Sequence, residues 1–164
     1  MRKEGHPINI TDEIHSTKSN TAITSNKRLQ PRRIPRYHIS NCFGCSPTNL
    51  HGLQLDFWLA DQGCFSRYRI PNHFCGMNGL AHGGIIAALL DEVAAWANVV
   101  HFQRFAVTRE IAAQFLKPVP TETNLLLEGA IIKHNEKSSV VASTIRSAEG
   151  ELLAKGESKW FFPS

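Results

Sequence analysis

Residues 83–100 run Gly-Gly-Ile-Ile-Ala-Ala-Leu-Leu-Asp-Glu-Val-Ala-Ala-Trp-Ala-Asn-Val-Val, without a proline and rich in alanine and leucine. Good helix formers in an unbroken run of this length predict one long helix. At about 100° per residue, Ile85, Leu89, Val93 and Trp96 share one side while Ile86, Leu90, Ala94 and Ala97 share another. A helix that is apolar nearly all round must be enclosed. One antiparallel sheet covers only one side of it, so a second cover is needed, and the expected cover is a second copy of the same chain.

The ionisable residues within this helix are Asp91 and Glu92. Carboxylates are almost never fully buried unless paired or used. Adjacent helical positions point about 100° apart, so one acid faces the interior while the other reaches the rim. A plain structural reading pairs Asp91 with an arginine such as Arg104 or Arg109. The competing reading is chemical, because Gly83-Gly84 at the helix start supplies unhindered N–H groups at the positive end of the helix dipole, where an oxyanion can be held. Gly83 and Asp91 lie eight residues apart, or about 12 Å along the axis at about 1.5 Å per residue. A reacting carbonyl needs both groups within about 3 Å. If both act on one substrate, the N–H comes from one subunit and the carboxylate from another.

Short alternating runs flank the helix. Leu53, Leu55, Phe57 and Leu59 place an apolar residue at every second position, as in a strand buried on one face. Asp61-Gln62-Gly63 reads as a turn, with a return strand from Cys64 to Ile70. Beyond the helix, Ile111, Ala113 and Phe115 mark a strand stopped by Pro118 and Pro120; Leu125, Leu127 and Ile131 mark the next; two more run over 139–146 and about 152–162. Short turns at this spacing predict an antiparallel meander of five or six strands wrapped round the helix, an α+β arrangement.

The net charge of +4 belongs to one end of the chain. Residues 1–36 hold eight Lys and Arg against three acids, which leaves ten basic and eleven acidic residues beyond them. The remainder therefore has no basic excess to suggest a nucleic-acid partner. Rich in Ser, Thr, Asn, Lys and Arg and lacking apolar periodicity, residues 1–36 are expected to form a mobile tail, and residues 37–164 one domain. The longest apolar run is interrupted by Asp91-Glu92 and the N-terminus lacks an apolar block, so neither a membrane span nor a secretory signal is expected and a cytoplasmic location follows. Cys42, Cys45, Cys64 and Cys75 are then expected to be free thiols. Cys42-Phe43-Gly44-Cys45 is a lone C-x-x-C, for which zinc would need two further ligands such as His38 and His51; packed thiols without a metal are the expectation.

The segment Gly79-Leu80-Ala81-His82-Gly83-Gly84 followed by Leu89-Leu90-Asp91-Glu92 resembles the His-Gly-Gly…Asp motif of the phenylacetate-degradation-type hotdog acyl-CoA thioesterases. Supporting segments are Cys42-Phe43-Gly44-Cys45 leading to Gly52-Leu53-Gln54-Leu55, Thr108 ahead of Phe115-Leu116-Lys117-Pro118-Val119, and Gly150-Glu151-Leu152-Leu153-Ala154. The likeness covers about residues 41 to 160. It implies the hotdog fold, a homodimer that pairs into a tetramer, and hydrolysis of acyl-CoA with no cofactor, CoA being part of the substrate.

By the same resemblance, Asp91 is the nucleophile or general base, the Gly83 N–H polarises the thioester carbonyl, His82 positions the thioester or the turn, and Thr108 helps orient water. Gly84 and Asn78 join the substrate site, and Lys133 and Lys137 near a turn could meet CoA phosphates. Relatives commonly carry Asn or Gln six or seven residues before the histidine; here those positions are Gly76 and Cys75, and Asn78 is the nearest amide. Phe57, Trp58, Trp96 and Phe102 could shape the acyl pocket. The rival readings are a non-catalytic acyl-CoA or lipid-binding hotdog protein and, behind it, a hotdog hydratase, whose chemistry asks for a different His and acid arrangement.

Overall fold

The computed structural model describes residues 31–35 and 41–163, so most of the basic stretch 1–36, and His38, lie outside the described residues. Nine regular elements follow in order: β1 (Trp58–Ala60), β2 (Gly63–Arg69), β3 (Cys75–Met77), β4 (Leu80–Ala81), α1 (Gly83–Phe102), β5 (Val107–Phe115), β6 (Asn124–His134), β7 (Ser138–Ser147) and β8 (Leu152–Phe161), with a 3₁₀ turn at Asn72–Phe74. Six of the strands form one antiparallel sheet in the order β1-β2-β6-β7-β8-β5, and β3 pairs with β4 as a separate small hairpin.

The expected helix and strands are present, with two differences. The sheet is not a simple meander: β6, β7 and β8 follow one another, but β2 pairs with β6 across the helix, and β5 crosses to the far side of β8. The long helix between β4 and β5 imposes that jump, since it runs across the sheet and delivers the chain to the opposite edge. The run from Leu53 to Leu59 alternates as expected, with Leu53, Leu55 and Phe57 all buried, but only its last residues enter the sheet. Its inner half bonds irregularly instead: Leu53 N–H to Phe43 O, Leu55 N–H to Gly44 O, and Ile34 N–H to Phe57 O. Burial sets an alternation whether or not a ladder partner is present.

Helix α1 lies across the concave face of the sheet, with Leu89, Leu90, Val93, Ala94 and Ala97 wholly excluded from solvent. By length and composition it could cross a membrane, yet half of its apolar window is buried against the domain's own strands. From the sheet, β7 contributes Ser139, Val141, Ser143 and Ile145 at every second position, the period of a strand with one covered face. A buried polar link fixes the docking angle: Asn98 donates to Ala94 O at 3.1 Å and accepts from Ser139 Oγ at 2.5 Å. At Gly129 of β6 the helix backbone comes so close that an added Cβ would stand 2.4 Å from Val93 O and 3.3 Å from Ala97 Cβ.

Any side chain at position 129 must therefore push the helix off the sheet. We expect Gly129→Val to lower unfolding free energy by about 3 kcal/mol. Urea titration followed by circular dichroism measures it, and an unchanged midpoint would show that the helix does not depend on that close approach.

Candidate active site

The start of α1 is held from three sides. His82 is its N-cap in extended conformation (φ −64°, ψ 137°), and its Nδ1 accepts the Gly84 N–H at 2.9 Å. The His82 N–H donates to Phe74 O at 3.0 Å, and the Ala81 N–H to Val119 O at 2.9 Å. The 3₁₀ turn and the segment after β5 thus fix where the helix begins. Gly84 was expected to offer its amide to substrate, but that N–H is satisfied by the cap. Gly83, the first helical residue, has no intrahelical acceptor for its own N–H, and the dipole's positive end lies there.

Beside this amide is an open cavity of about 570 Å³, whose lining includes His82, Gly83 and Ile86 of the helix start, Met77 of β3, Phe115 at the end of β5 and Leu116 just after it. Its rim is unusually apolar: Met77 is 72% exposed, Phe115 54% and Leu116 47%. Exposed apolar side chains grouped round a cavity mark a surface that a ligand or another protein covers. Sequence reading did not single out these three as pocket residues, since large apolar residues on strands are ordinarily core. None of Phe57, Trp58, Trp96 and Phe102 lines this cavity. Phe57 stacks on Trp96 with centroids 4.9 Å apart inside the core, Trp58 stacks on Phe65, and Phe102 packs edge-on against Phe162.

Asp91 lies two turns further along, half-buried on the side of the helix that the sheet covers least, beside the edge strand β5 and in line with the half-buried Ala87, Ala88 and Ala95. Thr108 Oγ1 donates to Asp91 Oδ1 at 2.9 Å. Burial pushes the Asp91 carboxyl above its ordinary range, and the Thr108 hydroxyl pulls it part of the way back. Neither proposed arginine reaches it. Arg104 donates to Glu136 O at 2.7 Å and lies over the Phe162 ring, and no ion pair of Asp91 is present among the described residues.

The Thr108 contact rests on an irregularity in β5. Simple alternation would send Thr108 to the face opposite Ile111, whose side chain packs against the core. A bulge intervenes: Thr108 pairs with Trp160 and Glu110 with Lys159, so Arg109 is an extra residue with no partner in the register. One inserted residue reverses the parity, and Thr108 and Ile111 both turn toward the helix.

The second acid is differently enclosed. Glu92 is the more deeply buried of the two, under the turn Cys42–Cys45, and accepts the Trp96 Nε1–H at 3.2 Å. Burial raises its carboxyl, while donors from Cys45, Trp96 and Cys42 partly oppose that. Within one chain, then, the interior acid is Glu92, and Asp91 faces the uncovered side.

The structure brings His82 and Gly83 to the cavity, leaves Gly84 outside its lining, and sets Asp91 with Thr108 two turns away; it does not join the two groups within one chain. Asn78 is exposed in the β3–β4 turn and does not line the cavity. Lys133 and Lys137 belong to the β6–β7 end, beside the C-terminus of α1, where the His134 and His101 rings are 5.2 Å apart. That end is about 28 Å from Gly83 at about 1.5 Å per helical residue.

Residues 78–154 match the family model of the thioesterase superfamily. Similar solved structures include a thioesterase superfamily protein at 24% identity, covering 70% of this chain and 60% of that one with a TM-score of 0.66. Another is smu.793 from Streptococcus mutans UA159 bound to acetyl CoA, at 20% identity, covering 79% and 98% with a TM-score of 0.66. A third is a hypothetical thioesterase protein with coenzyme A from Streptococcus pneumoniae TIGR4, at 21% identity, covering 65% and 82% with a TM-score of 0.60. The chain has the hotdog fold. No curated protein matches the sequence. In hotdog terms, α1 is the filling and the six-stranded sheet its wrap, with the cavity at the filling's N-terminal end.

The cap makes a separate expectation. His82→Ala should cost about 1 kcal/mol of stability by leaving the Gly84 N–H unpaired, whereas His82→Asn, which can accept the same bond, should recover most of it. Paired urea titrations measure both, and equal losses in the two variants would remove the capping role.

Proposed function

We propose that this chain is an acyl-CoA thioesterase of the thioesterase superfamily, of the phenylacetate-degradation type, acting as a homodimer in which Asp91 of one subunit works opposite Gly83 of the other. The observation that carries the reading is the Thr108-bonded carboxylate of Asp91 on the helix face that the chain's own sheet leaves uncovered. A carboxylate there, without a counter-ion among the described residues, has the access and freedom that an ion-paired one lacks.

The second copy follows from two surfaces. The outer side of α1 presents small residues around Asp91, and β5 is a nine-residue edge strand with unpaired backbone groups along its outer side. Val107 and Phe115 at its two ends are 46% and 54% exposed. Antiparallel pairing of two such edges would bring each helix N-terminus toward the partner's Asp91. The 12 Å separation within one chain then ceases to matter.

In the assembled site the thioester carbonyl lies against the Gly83 N–H, which stabilises the oxyanion as it forms. Asp91 acts as the nucleophile or as the base that takes a proton from the attacking water, held in orientation by Thr108. The carbonyl carbon gains an oxygen, the carbon–sulfur bond breaks, and CoA leaves as a thiol. Two structural neighbours are described with coenzyme A or acetyl CoA, which supports a CoA thioester as substrate class. The apolar rim of Met77, Phe115 and Leu116 suits an acyl or aryl group.

Asp91→Asn keeps the size of the side chain and an acceptor for Thr108 while removing the negative charge. We expect it to lower acyl-CoA hydrolysis by about 10²–10⁴-fold with the fold intact, as measured by thiol release across short, long and aromatic acyl-CoAs. Near-normal turnover in that variant would end the proposal, as would a stable monomer at micromolar concentration. Tight acyl-CoA binding by the unaltered protein without any thiol release would favour the binding-protein reading, for which Gly76 and Cys75 in place of an amide upstream of His82 already speak.

A further inference from the structure

Cys42, Cys45 and Glu92 take no part in the site above, yet they converge on one point. The Cys42 and Cys45 sulfurs and a Glu92 carboxylate oxygen lie within 4.8 Å of one another, and Cys42 Sγ is 3.8 and 3.9 Å from the two Glu92 oxygens. With zinc–sulfur bonds of about 2.3 Å and zinc–oxygen bonds of about 2.0 Å, tetrahedral coordination sets sulfur and oxygen about 3.5 Å apart and two sulfurs about 3.8 Å apart. Cys42 and Glu92 thus need to approach by only a few tenths of an ångström, and with all three atoms within 4.8 Å of one another no pair has to close by more than about 1.3 Å to share a cation.

The backbone around them is shaped for the purpose. The Gly44 N–H points back at Cys42 Sγ at 3.3 Å, and Ser46 N–H closes the turn on Cys42 O at 3.2 Å. Gly44 lets the turn sit close on the acid, since a Cβ there would be 2.2 Å from the Glu92 carboxyl carbon and would displace that carboxyl from its place. The turn therefore folds directly over the carboxylate, with Trp96 fixing one oxygen from behind. We propose that Cys42, Cys45 and Glu92 form a zinc site that clamps the Cys42–Cys45 turn to helix α1, leaving a fourth position for water or another side chain.

Charge balance allows this. Two thiols and a carboxylate carry one negative charge; two thiolates, a carboxylate and a divalent zinc ion carry the same, the two thiol protons passing to solvent. Mixed sulfur and oxygen ligands of this kind suit zinc rather than magnesium or calcium. A disulfide between Cys42 and Cys45 is the other fate of such a pair. It would need an oxidant and would take the Cys42 and Cys45 donors from a buried carboxylate.

The test uses the full chain, loaded with zinc chloride under reducing conditions and freed of excess metal by gel filtration. We expect about one zinc ion per chain by elemental analysis. In a Cys75→Ser background, which removes the exposed thiol, Cys42 and Cys45 should resist a thiol reagent until a strong chelator is added. Glu92→Gln keeps the carboxyl's shape, and zinc retention should fall by at least the roughly tenfold that loss of even an outer-shell partner costs. Should that variant not fold, Cys45→Ser provides the same comparison. Failure to retain zinc with both thiols reduced, thiol reactivity indifferent to chelator, or a Cys42–Cys45 disulfide in the protein as purified would each overturn the proposal. None of these readouts depends on thioester hydrolysis, so the zinc site and the thioesterase reading stand or fall separately.

Discussion

The contact between α1 and the sheet at Gly129 governs the rest of the molecule. A twenty-residue helix with apolar residues on most of its circumference is insoluble alone, and only a strand without a side chain at the crossing lets it settle against the sheet. Once Val93 O lies against the Gly129 backbone, the rotation of the helix is set, and with it the direction of every functional side chain that the helix carries. Leu89, Leu90 and Val93 go inward. Asp91 must then go outward, and Glu92, a step of about 100° further, must go sideways under the Cys42–Cys45 turn.

The sheet answers that rotation with a local fault. Thr108 reaches Asp91 because Arg109 is inserted into β5, which puts two residues of opposite strand parity on one face. Without the bulge the strand could supply either Thr108 to the carboxylate or Ile111 and Ala113 to the core, but not both. Bulges are common beside functional sites for this reason: they re-aim one side chain without disturbing the packing of those that follow.

These features were unequally legible in the sequence. The helix and the strands expected at 64–70, 111–115, 125–131, 139–146 and about 152–162 were visible because burial imposes periods of 3.6 and 2, and periodicity is written in residue order. The strand order was not, since nothing local says that β5 must lie beside β8. Asp91 and His82 could be picked out by their setting, an acid in an apolar helix and a histidine before two glycines. That His82 caps the helix, and so removes Gly84 from the set of free donors, depends on a side-chain conformation that composition cannot express. The enclosure of Glu92 is of the same kind. Cys42 and Cys45 stand about fifty residues before it in the chain, and only the fold closes that distance.

Two adjacent carboxylates on one helix raise a question of economy that the geometry answers. Asp91 and Glu92 repel each other, and the repulsion adds to the burial that already disfavours charge on Glu92. A chain that needed a single working acid could have placed leucine or alanine at 92 and gained core packing. Glutamate instead stands there beneath a turn whose two sulfurs lie beside its carboxyl group, with the Gly44 N–H bonded to one of them and the Gly44 Cα packed over the carboxyl. Meeting that group with thiol and indole donors, rather than with a basic side chain, leaves no cationic side chain beside the neighbouring position. Asp91 is thereby left with one neutral donor, Thr108, and with the open side of the helix.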